Sequence, residues 1–126
     1  GVPAIDSSDL VDDQITIVNG ADAEITWTPA DPGSRVRLSL NANNAGHGQP
    51  FEAILRCDVP DDAGRITVPA SMIEAFPATF RWEACEGSDC PASSLLRYRR
   101  AAAPVPGGEV ELVVGSDRVF WVVHAP

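Results

Sequence analysis

Three cysteines, two histidines and eighteen carboxylates are the groups with which this chain could do chemistry. Cys85 and Cys90 bracket Glu86-Gly87-Ser88-Asp89, a turn-rich loop. A disulfide closing so short a loop stabilises by about 2 kcal/mol in the chain-entropy picture and requires an oxidising compartment. The competing reading is two free thiols. The spacing is not the CxxC of a zinc pair, and no second pair exists. Cys57 falls in phase with its apolar neighbours and reads as a small buried hydrophobe. Asp58, Asp61 and Asp62 offer hard oxygen ligands of the kind Ca²⁺ takes. They lack the alternation and final Glu of an EF-hand loop, and an ordinary turn with Asp capping backbone N–H groups is the simpler account of them. His47 lies between Gly46 and Gly48, and His124 ends the last strand. Neither has metal-ligand spacing to another donor, and no Ser stands in a nucleophile elbow. The residues therefore point to no cofactor and to no enzyme.

A different chemistry is available to the basic residues. All nine are Arg, against a net charge of −9. Arg35, Arg37, Arg56, Arg81, Arg97 and Arg99 each read as the outward phase of a strand. If those strands are neighbours they form an Arg-rich face, either solvated cross-strand ion pairs or a surface for an acidic polymer or protein. The last strand, with Val119, Trp121 and Val123 on one phase and Phe120 and Val122 on the other, is apolar on both sides. Such a strand is covered twice or exposes a docking patch.

The elements that would position these groups are short and alternating. Gln14 to Val18, Glu24 to Thr28, Arg35 to Asn41, Phe51 to Val59, Arg65 to Val68, Thr79 to Cys85, Leu95 to Arg100, Glu109 to Val114 and Arg118 to His124 read as strands. In the seventh, Leu96 and Tyr98 point inward. Asn19-Gly20 predicts a hairpin between the first two. The stretch AAAPVPGG reads as a linker-like turn, and Gly115-Ser116-Asp117 as a hairpin. Met72, Ile73 and Phe76 change to helical spacing between two prolines, predicting one short helical turn near residues 70–76. Residues 1–13 read as a loose acidic N-terminal arm and 14–126 as a single domain. The expected architecture is all-β: an antiparallel two-sheet sandwich, immunoglobulin- or fibronectin-like. Trp27, Leu38, Leu55, Trp82 and Trp121 are its expected large core residues.

At 126 residues, 44% hydrophobic and 21% charged, the chain is one ordinary globular domain. An acidic chain repels phosphate backbones and anionic bilayers. No run reaches the ~20 apolar residues of a membrane span. The abrupt start at Gly1-Val2-Pro3 fits a mature form or a trimmed piece.

The segments IVNGADAEITWTP, VRLSLNA and ILRCDVPDDAGRITVPASMIEAFP carry a likeness. They resemble uncharacterised β-sandwich domains of secreted proteins and lipoproteins from myxobacteria and related Gram-negative bacteria. Trp27, Cys57, Pro60, Asp61, Asp62, Gly64, Val68, Pro69 and Phe76-Pro77 carry the match, across roughly residues 15–77. The resemblance implies a β-sandwich and an exported location, in periplasm, at the cell surface or outside the cell. It brings no catalytic residues. The expected function is protein interaction, or a structural spacer. A carbohydrate-binding module with a structural calcium ion is the alternative.

Overall fold

The computed structural model describes residues 1–42, 53–75 and 93–125. The chain is mostly β. Its strands are β1 (Gln14–Val18), β2 (Ala23–Thr26), β3 (Arg35–Ala42), β4 (Ala53–Pro60), β5 (Arg65–Val68), β6 (Ser93–Val105) and β7 (Gly108–Ala125). A 3-10 turn (Asp61–Ala63) links β4 to β5, and one helix, α1 (Ala70–Ala75), follows β5, where the change of period placed it.

The strands form a five-stranded sheet in the order β1-β7-β6-β3-β4 and a two-stranded sheet, β2-β5. The larger sheet is mixed, because β1 runs parallel to β7 while its other pairs are antiparallel. This departs from the all-antiparallel expectation. Asn19-Gly20 does make a turn, with Gly20 at φ 83°. However, the two strands it joins lie in different sheets. Turn chemistry fixes where a chain reverses, and the partner on each side is set by burial.

Alternation builds the core. Ile17, Val36, Leu38, Leu40, Leu55, Leu95, Phe120 and Val122 come from the larger sheet, and Ile25, Ile66 and Val68 from the smaller one. Trp27, Ile73 and, from the N-terminal segment, Ile5 complete the same cluster. Trp27 donates its indole N–H to the Asp61 carbonyl at 3.0 Å, so the large ring is buried with its one polar group satisfied. Trp121, expected inside, is 39% exposed, while its neighbour Phe120 is 1% exposed. Trp82 lies outside the described residues.

Residues 1–13 are held to this body. Ile5 and Ser7 are buried. The Asp9 carboxylate accepts from the Thr26 N–H and hydroxyl, both at 2.7 Å. The segment ends in a tight turn in which Val11 and Gln14 exchange backbone bonds at 3.0 Å. Asp12 and Asp13 sit there at φ 53° and 58°, the left-handed region that a side chain resists. Asp13 is tied to Arg118 and Asp12 has no such partner. Changing Asp12→Gly should therefore raise stability by about 0.5–1 kcal/mol in a denaturant titration. A loss would show that Asp12 makes a favourable local contact.

Candidate interaction surface

β6 and β7 are far longer than their neighbours, and this produces the most unusual surface of the molecule. β3 covers β6 only from Ser94 to Tyr98. β1 covers β7 only from Trp121 to Ala125. Beyond those limits the two strands continue as a two-stranded arm, paired from Arg99↔Val114 to Val105↔Gly108. Every residue from 99 to 115 is exposed. Seven residues per strand give an arm of about 24 Å. The stretch read as a linker-like turn is thus strand up to Val105, and only Pro106-Gly107 turns. Likewise Gly115-Ser116-Asp117 lies within β7.

Physical reasons lie behind both misreadings. In a two-residue hairpin the closing pair, Val105↔Gly108, is the hydrogen-bonded one. The next pair, Pro104↔Glu109, then leaves the proline nitrogen facing the open edge, where no N–H is required. Gly115 is needed because a Cβ there would stand 2.8 Å from the Arg97 carbonyl and 2.7 Å from Leu96 Cδ1. We expect Gly115→Ala to cost about 1–3 kcal/mol, measured by thermal unfolding. An unchanged Tm would mean the strands separate freely there.

Direct cross-strand partners share a face, so the register sorts the arm into two. One face carries Arg99 and Val114 at the base and then Ala101, Leu112, Ala103, Val110 and Val105. It continues the phase of Leu95 and Phe120, the core face of the sheet. The other carries Arg100, Ala102, Glu111, Glu109 and Val113. The arm is therefore amphipathic, and no described strand or helix covers its apolar face: Val110, Leu112 and Val114 are 54, 57 and 44% exposed. An isolated two-stranded hairpin is marginal in water. The tip adds nothing, because Pro106 fixes φ near −65° and Gly107 has φ 84°. Those angles make a type II turn, whose twist opposes that of a hairpin.

The base of the arm is pinned by charge. Arg99 donates to both Asp31 oxygens at 2.7 and 2.6 Å and to the Pro32 carbonyl at 2.9 Å. The Arg99 hydrogen bond holds the Asp31 carboxyl below its ordinary pKa. Arg100 pairs with Glu111 at 3.2 Å. A hollow of about 480 Å³ opens here, lined by Val2, Arg99, Ala101, Leu112 and Val114 among others.

The expected Arg-rich face is only partly assembled. Arg35 and Arg37 stand on the outer face of the larger sheet, and both bind Asp58. The Tyr98 hydroxyl also donates to Asp58, and the Arg37 guanidinium lies 4.8 Å above the Tyr98 ring. Burial pushes the Asp58 carboxyl up, but the Tyr98 and Arg35 donors outweigh it and hold it below its usual value. Arg97 is on the opposite face, 1% exposed, and Arg99 shares that opposite phase. Tyr98 is buried, but on the outer face beside Arg37 and Asp58 and not in the core as expected. Leu95 and Arg97, not Leu96 and Tyr98, point to the core side. Sequence reading put Arg97 outside because a buried guanidinium demands a partner that spacing does not reveal. That partner is Asp61, 2.9 Å away and fully buried. Arg81 lies outside the described residues.

Asp58 and Asp61 face opposite sides of the sheet, each engaged by arginine, so they do not converge with Asp62 on a cation. Among the described residues no cluster of three or more His, Cys, Asp or Glu is arranged to hold a metal. Cys57 is a free, half-buried thiol, and burial raises its pKa. His124 is buried, with Nε2 2.8 Å from Asn19 Oδ1. Cys85, Cys90 and His47 lie outside the described residues, and so does the disulfide expected between the first two. Among the described residues no helix is long and apolar enough to cross a membrane. The chain matches no family model, no curated protein and no solved structure.

Proposed function

We propose that this chain is a non-enzymatic interaction module of an exported bacterial protein, and that it docks through the β6–β7 arm. One observation carries the reading: a sheet's core face runs out past its cover and stays apolar. Contiguous exposed apolar surface rimmed by charge marks contact sites. The body behind it is a two-sheet sandwich of the immunoglobulin or fibronectin kind, acting as a rigid spacer that holds the arm away from its attachment. The periplasmic or cell-surface location, with a lipoprotein as one form of the parent protein, rests on the resemblance to myxobacterial exported domains.

The test is site-specific photocrosslinking in cells that make the protein. A photoreactive residue at Leu112 or Val114 should trap adducts, and one at Glu74 on α1 should not. Adducts at Glu74 alone would move the interaction away from the arm.

A carbohydrate-binding module is the second reading, favoured by the exposed Trp121 beside Val119 on the outer sheet face. A flat indole of this kind can stack on a sugar ring. A glycan-array signal that Trp121→Ala removes would establish it. Silence from the parent chain would dismiss it.

A further inference from the structure

Among the described residues no strand pairs with the outer edge of β7 from Gly108 to Arg118, and this edge assigns the partner more narrowly. We propose that the arm pairs, antiparallel and edge to edge, with the same edge of a second copy of this chain, with the two-fold axis at Leu112. This inference rests on the reading of the arm as a docking element.

The hydrogen-bonded pairs of the hairpin include Val105↔Gly108, Ala103↔Val110, Ala101↔Leu112 and Arg99↔Val114. The alternate β7 residues, Glu109, Glu111, Val113 and Gly115, therefore turn their N–H and C=O groups to the open edge. An open edge without proline is a template for another strand. The β6 edge carries Pro104, and the β7 edge from Gly108 to Arg118 carries none.

A two-fold contact must be complementary to itself. That condition, applied residue by residue, selects one register. An axis at Glu109 or Glu111 sets a glutamate against its own copy. An axis at Val110 opposes Glu109 and Glu111. An axis at Val113 opposes Glu109 and Asp117, and one at Val114 opposes Glu111 and Asp117. Like charges directly opposite destabilise a ladder. An axis at Gly115 sets Leu112 against Arg118. An axis at Leu112 opposes no two acids. It pairs Glu111 with Val113 and Glu109 with Gly115, where no side chain intrudes. On the apolar face it joins Leu112 to Leu112 and Val110 to Val114, making one four-stranded apolar surface. On the charged face it sets Glu111 in the same row as the second copy's Arg100. On that face, arms polarised with Arg100 at the base and Glu109 and Glu111 toward the tip are complementary when they run in opposite directions.

An edge contact of this length belongs to the small, weak class of interfaces. Sedimentation equilibrium on the full chain at about 100 μM should therefore show dimer, with dissociation on dilution. Val113→Pro removes an N–H that faces only the second copy. It should weaken the dimer at least about tenfold while leaving the Tm of the domain nearly unchanged. Leu112→Cys should give an interchain disulfide above the background of the native cysteines. Val110→Cys, about 14 Å from its own copy in this register, should not. A monomer at this concentration overturns the proposal. So does a dimer that survives Val113→Pro or fails to crosslink at Leu112→Cys. If photocrosslinks from Leu112 then lead to a different protein, the docking role of the arm stands without self-pairing.

Discussion

Asp61→Asn should leave the domain unfolded over a range of temperature where the parent chain is folded, with Tm falling by roughly 10–20 °C. Asp61 sits at the centre of a closed polar network. Its carboxylate accepts from the backbone N–H groups of Ala30 and Asp31 at 2.8 and 2.9 Å and from Arg97 Nε at 2.9 Å. The rest of the guanidinium donates to the carbonyls of Ala4 at 2.9 Å and Thr28 at 2.8 Å, with Pro3 at 3.3 Å. One ion pair thus joins the N-terminal segment, the β2–β3 loop, the 3-10 turn and β6. Both side chains are at most 1% exposed. Removing one partner strands the other charge out of water, at a cost of about 3–5 kcal/mol. Arg97→Met should fall in the same range, and the double variant should cost less than the sum of the two. Additive losses in a double-mutant cycle would show that the pair acts as two independent groups.

The same network sets the acid limit. Burial pushes the Asp61 carboxyl up, but the Asp31 and Ala30 N–H donors and the Arg97 guanidinium outweigh it, so its pKa in the fold is lowered. Those of Asp31 and Asp58 are lowered too. A carboxyl depressed by folding contributes stability above its unfolded pKa, about 3.9. That contribution is lost as pH falls through the folded value. The Tm should therefore be level from about pH 8 to 5 and fall below about pH 4. Asp61→Asn should flatten that fall. A Tm that declines already between about pH 7 and 5 would point to a histidine instead.

Adjacent aromatics in β7 should respond oppositely to truncation. Phe120→Ala opens a cavity in the shared core and should cost about 3–5 kcal/mol. Trp121→Ala, on the outer face, should cost under about 1 kcal/mol, although it deletes the larger ring. Comparable losses in urea unfolding would mean that the outer face of β7 is covered in solution.

These two residues also show where reading the chain stops. The alternation in β3 named Val36, Leu38 and Leu40 as buried without any structure, because polar residues fill the other phase. In β7 both phases from Val119 to Val123 are apolar, so alternation alone could not choose between Phe120 and Trp121. Size favoured tryptophan, and register decided against it. The helix was legible because Pro69 and Pro77 bracket a change of period. The arm was hidden for the opposite reason. Ala101, Ala103 and Val105 do alternate, in step with Val110, Leu112 and Val114. Proline and glycine at 104–108 spoke louder, and the small alanine side chains gave the pattern no contrast. Arg97 was hidden because charge is a reliable sign of the surface until a buried carboxylate 36 residues away claims it.

The parallel pairing of the first and last strands has a mechanical meaning. Once residues 1–13 have been pulled from the body, tension on the chain enters β1 at Gln14 and leaves β7 at Ala125, at opposite ends of their shared ladder. The five register pairs from Gln14↔Trp121 to Val18↔Ala125 are then loaded in shear and must yield together. An antiparallel terminal pair would peel open one bond at a time. A domain joined this way can carry force between whatever lies on either side of it, and in a force ramp it should rupture in a single high peak.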